Sequence, residues 1–113
     1  MKTKIPKKTQ AIMPSLNKFK SDIQELYHKK LVSLVLYGSY ARGTATEFSD
    51  IDILLVLKDM DSPYREISTT SDITINYLLD YDLNISIVPT TEKRLNEEKL
   101  SFYRNIKKEG IVL

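Results

Sequence analysis

With 113 residues, 42% of them hydrophobic and 28% charged, the chain is sized for one globular domain with a modest core. It has no cysteine and one histidine, which excludes disulfides, thiolate or multi-histidine metal sites and a cysteine nucleophile. The net charge of +2 divides unevenly: residues 1–42 carry nine Lys/Arg against two acids, and residues 43–113 carry eight against thirteen.

In chain order, the basic run Met1 to Lys8 has no apolar core behind it, so it reads as a flexible tail over residues 1–13 rather than a signal peptide. A single domain is expected over residues 14–113. Pro14 and Ser15 open a helix whose Leu16, Phe19, Ile23, Leu26 and Tyr27 form one apolar stripe, closed by Lys29 and Lys30. Leu31–Tyr37 and Ile51–Leu57 are short, rich in Val, Ile and Leu, and bounded by turn residues, so both read as buried strands. They are expected to be antiparallel neighbours. Ser62 as cap and Pro63 at the first position start a helix to about Asp80, with Ile67, Ser71, Thr74, Tyr77 and Leu78 on one side. Leu83–Val88 reads as a third strand stopped by Pro89. Thr90 or Thr91 then caps a polar helix through Lys99, and Ser101 opens a last helical turn ending at Gly110. This order makes a small α/β (or α+β) domain, a mixed sheet flanked by helices. The helices are expected on one face, with the other left for substrate. No apolar run approaches the ~20 residues of a membrane span, so no membrane role is expected, and the cytoplasm is the expected compartment.

The chemistry concentrates between the first two strands, in GSYARGTATEFSDID. A Gly38-Ser39 turn leaving a strand offers backbone N–H groups and a hydroxyl that suit a phosphate. Asp50 and Asp52, at i and i+2 on the next strand, project from one face, as a hard divalent cation such as Mg²⁺ requires. Burying the pair uncompensated beside Ile51 and Ile53 would be costly. Ser49 either caps the turn or orients Asp50, and Arg42 is a phosphate clamp or a surface arginine. The basic half suits a polyanion such as ATP or RNA, but without interleaved aromatics nothing speaks for nucleic acid as the main partner. There is no Ser-His-Asp set and no Rossmann glycine fingerprint.

Gly-Ser, ten residues, then Asp-x-Asp resembles the signature of the DNA polymerase beta-like nucleotidyltransferase superfamily. More narrowly it resembles the minimal nucleotidyltransferases, with Leu16–Tyr37, Asn84–Pro89 and Asn105–Ile111 similar to other parts of that domain. The resemblance implies that Gly38, Ser39, Arg42 and Ser49 bind ATP and that Asp50 and Asp52 hold one or two Mg²⁺ ions. A third acid on a later strand is also implied. Asp82 is the favoured candidate, while alignment on Ile85-Ser86 would put the position on Asn84. The implied activity is transfer of AMP from ATP to a hydroxyl of a partner protein, namely a HEPN-family ribonuclease toxin to which this chain would be the antitoxin. Two alternatives stand beside it: a non-catalytic module that masks its partner, and a nucleotidyltransferase acting on RNA or a small molecule.

Overall fold

Alternation of apolar residues along the two central strands gives the sheet two buried faces, and each face recruits its own helices. The computed structural model describes residues 1–113. Its helices are α1 (Lys7–Gln10), α2 (Met13–Tyr27), α3 (Ser39–Arg42), α4 (Pro63–Tyr81), α5 (Glu92–Glu97) and α6 (Ser101–Glu109), with a 3-10 turn at His28–Lys30. Its strands are β1 (Leu31–Tyr37), β2 (Ile51–Leu57), β3 (Ile85–Thr91) and β4 (Ile111–Val112), in the order β3-β2-β1-β4. β1 pairs antiparallel with β2 and β4, and β2 pairs parallel with β3 through the α4 crossover. The sheet is therefore mixed and flanked by helices.

On one face, Ile51, Ile53, Leu55 and Leu57 of β2 pack with Leu34 and Leu36 of β1 against Leu16, Phe19 and Ile23 of α2 and Tyr77 of α4. Each such side chain contributes on the order of 1.5–3 kcal/mol when removed from water, so this cluster fixes the register. On the other face, Val35, Leu54 and Val56 pack against Leu95 of α5 and Tyr103 and Ile106 of α6. Helices thus cover both faces, not one.

Several local expectations are corrected. β3 runs through Pro89 to Thr91 instead of stopping at Val88. β3 is an edge strand, where a missing N–H is tolerated. The next helix ends at Glu97, not Lys99, with Thr91 as its cap, its Oγ accepting from Arg94 N at 3.2 Å. α6 is a full nine-residue helix. In α4 the inward residues are Glu66, Thr70 and Tyr77, while Ile67 and Leu78 are exposed, as is Leu26 of α2. The first thirteen residues make defined contacts: Lys2 N donates to Gly110 O at 2.8 Å, and Thr9 is fully buried.

Candidate functional site

β1 ends at Gly38, whose φ of 73° lies in the left-handed region. A Cβ there would collide with Asp52 Oδ2 and come within 3.1 Å of Asp52 Cγ. Only glycine lets the turn lie against that carboxylate. Ala41 and Arg42 each donate backbone N–H to Gly38 O at 3.1 Å, winding Ser39–Arg42 into the short α3. Ala41 is fully buried and pins it down. The exposed end of α3 is held from outside the motif. Thr9 Oγ1 donates to Tyr40 O at 2.6 Å, and Lys2 Nζ to Ala41 O at 2.8 Å. These bonds satisfy carbonyls that a four-residue helix cannot pair itself.

Thr46 to Ser49 form the turn that delivers β2. Ser49 N donates to Thr46 O at 3.1 Å, and Thr46 N donates to Ser49 Oγ at 2.9 Å. The Ser49 hydroxyl is thus engaged in the turn, the structural of its two sequence readings. Asp50 follows, exposed, its Oδ1 accepting from Asn84 Nδ2 at 2.7 Å. Asn84 is fixed in turn by Ile51 N donating to its carbonyl at 2.8 Å.

Asp52 is half-buried at the start of β2, directly across from Tyr37. Burial, then the charge of Asp50, push its carboxyl above the ordinary carboxylate value, and Arg42 partly offsets them. The same neighbourhood pushes the Tyr37 phenol up to about 12, through burial and the Asp52 charge. Arg42 itself pairs with Glu109 of α6, Nη1 to Oε2 at 3.6 Å. A second positive charge near the two aspartates would relieve what burial and mutual repulsion impose on Asp52. Two same-face carboxylates, one held in place by an amide, form a hard-oxygen donor set that fits Mg²⁺.

Asp82 is not part of that set. It is exposed at the C-cap of α4 with φ of 57° and lines a groove of about 130 Å³ with Phe48, Asp50 and Asn84. No three acids or histidines converge in a way that would hold a metal ion. The residues beside the aspartates carry other groups, with Ser86 of β3 paired to Asp52 and Asn84, just before β3, bonded to Asp50. Sequence reasoning missed the buttressing by Lys2 and Thr9, whose only signal is the sparse apolar spacing of Ile5, Pro6 and Ile12. It also missed Tyr37, which reads as one more apolar strand residue.

The sequence model of the family described as Nucleotidyltransferase domain matches residues 16–113. A relative in Methanocaldococcus jannaschii, named putative protein adenylyltransferase, is 36% identical over 100 residues, covering 88% of this chain and 94% of its own. Among solved structures, one of a toxin-antitoxin with AMP-PNP superposes with a TM-score of 0.59 at 19% identity, over 84% of this chain and 69% of that one. A putative nucleotidyltransferase from Sulfolobus solfataricus gives a TM-score of 0.62 at 20% identity, over 93% and 82%. At those identities the two structures are similar in fold.

Proposed function

The chain belongs to the nucleotidyltransferase domain family, an enzyme family, and from that premise we propose that it transfers AMP from ATP to a hydroxyl of a partner protein, neutralising a HEPN-type ribonuclease toxin. The observation that carries this reading is the seating of Gly38 against Asp52, which brings a turn without a side chain up against the carboxylate pair. The relative's name as a protein adenylyltransferase supports a protein acceptor, and the toxin-antitoxin structure with AMP-PNP supports both ATP and a toxin partner. The HEPN identity rests on the resemblance of the motif alone.

Gly38 and Ser39 would take the triphosphate, and Arg42 would exchange Glu109 for phosphate oxygens. Asp50 and Asp52 would hold Mg²⁺, which supplies charge neutralisation on the phosphates. Asn84 orients Asp50 by donating to one of its oxygens. The acceptor enters from the groove beside Asp50, where Phe48 is 87% exposed and Leu78 43% exposed as an apolar rim. Asp82 lines the same groove and would take the proton of the acceptor hydroxyl as the new P–O bond forms and pyrophosphate leaves. A non-catalytic masking role is the second reading, and Asn84 in place of an acid beside Asp50 favours it.

Calorimetry tests the site. Mg²⁺-dependent ATP binding that disappears with EDTA is expected, and equal affinity in both would contradict a metal-bridged site. Asp82→Asn should keep ATP affinity and slow transfer by about a hundredfold or more.

A further inference from the structure

Lys18, Asp22 and Leu26 recur every four residues along α2, and Ile73, Tyr77 and Tyr81 do the same along α4, so each set lines one side of its helix. Lys18 Nζ donates to Tyr81 OH at 2.8 Å, and Tyr77 OH donates to Asp22 Oδ2 at 2.7 Å. The two helices therefore run antiparallel, which brings Leu26 level with Ile73. All six residues line a groove of about 490 Å³ that shares none of its lining with the pockets around Gly38 and Asp50. Glu25 and Asp80, both exposed, line it as well. With Asp22 they set three carboxylates against the one ammonium of Lys18, on a chain whose net charge is +2. None of the three is in an ion pair. Lys18 Nζ lies instead over the aromatic rings, 5.2 Å from the Tyr81 centroid and 5.9 Å from that of Tyr77, within cation–π range. One end of the groove thus already holds a cation, the chain's own, carried on an exposed side chain. The other end is apolar and open to water, with Leu26 40% exposed.

We propose that the α2–α4 groove docks a helix of a partner protein, an arginine of that helix replacing Lys18 over the tyrosines and an apolar side chain covering Leu26 and Ile73. Charge selects the occupant at one end. Arginine suits it better than lysine, because the planar guanidinium stacks on an aromatic ring while its several donors serve more than one carboxylate. The apolar end selects a protein. A polyamine would answer the carboxylates and leave Leu26 and Ile73 wet, whereas an amphipathic helix supplies both chemistries along one face. From Lys18 to Leu26 the groove runs about 12 Å at the helical rise, so the arginine and the apolar residue of the occupant sit roughly two turns apart. Because the groove lies apart from Gly38, Asp50 and Asp52, the inference stands independently of the transfer chemistry.

The test is an amide NMR titration of the full chain with an alanine-based helical peptide carrying one arginine and one leucine about seven residues apart. Shifts should concentrate between Lys18 and Leu26 and between Ile73 and Tyr81. Replacing the peptide's arginine by glutamine, or its leucine by serine, should weaken binding about fivefold. Lys18→Ala should bind the peptide about two- to fivefold more tightly, because the resident cation no longer competes. Lys29→Ala makes the same charge change outside the groove and should gain less. Asp80→Asn should bind more weakly, and thermal melts check that each variant keeps the fold. Shifts outside α2 and α4, equal gains from Lys18→Ala and Lys29→Ala, or spermidine matching the peptide in shifts and affinity would overturn the docking groove. So would concentration-dependent shifts of the same amides without peptide, which would assign this face to a second copy of the chain.

Discussion

A Cβ at Gly38 would meet the Asp52 carboxylate, and the residue's φ of 73° already lies where an L side chain is strained. Gly38→Ala should therefore cost about 1–3 kcal/mol in a urea unfolding series and weaken Mg-ATP binding. Gly38→Ala/Asp52→Ala should recover part of the stability but none of the binding, because the clash is relieved and the ligand is lost. Asp52 carries a second expectation. Its carboxyl is raised in the fold by burial and Asp50, so the native state holds that proton more tightly than the unfolded chain. The resulting stabilisation is present at low pH and is lost as pH rises through the folded value. In metal-free buffer, Asp52→Asn should melt above wild type at about pH 7 and match it at about pH 3. A variant no more stable at the higher pH would contradict a strained carboxylate. At this scale the sequence was legible where the chemistry is local. Gly38, Asp50 and Asp52 are placed by one turn and one strand alternation. The position of Asp82 was less so, because it depends on whether residues after α4 continue as strand or stop in a left-handed cap.

Among the elements, the short α3 depends on residues far from it in sequence. Thr9, fully buried, donates to Tyr40 O at 2.6 Å, and Lys2 reaches Ala41 O. Thr9→Val should cost about 1 kcal/mol by orphaning that carbonyl. Removing residues 1–12 should lower the melting temperature and weaken ATP binding together. Unchanged values for both would show that α3 holds its form unaided. The basic composition of this segment hid its packing, since Lys2, Lys4, Lys7 and Lys8 dominate any reading of it. β1, β2 and α2 were legible because their apolar patterns repeat over seven or more residues. β4 has only two residues, too few for any period to show, and it is fixed by pairing Val35 with Val112 and Leu36 with Ile111. The second sheet face was misjudged for a related reason. α5 and α6 offer only Leu95, Tyr103 and Ile106 as buried anchors, so their sequences read as polar.

Taken whole, the molecule gathers its chemistry at one end of the sheet, where Gly38 leaves β1 and Asp52 enters β2 across from Tyr37. No helix is long and apolar enough to cross a membrane. One pocket lies on the α6 side beside Gly38, and an apolar-rimmed groove lies beside Asp50. On the proposed function, the carboxylates act in transfer and not merely in folding. Asp50→Asn/Asp52→Asn removes both charges with little change in volume, so the fold should persist. The most direct measurement is the intact mass of the proposed toxin partner after co-expression with wild type or with this double variant. Wild type should add one or more AMP units to the toxin and the variant none, and cells carrying the variant should also lose protection. A toxin left unmodified yet fully neutralised beside the wild-type protein would contradict it.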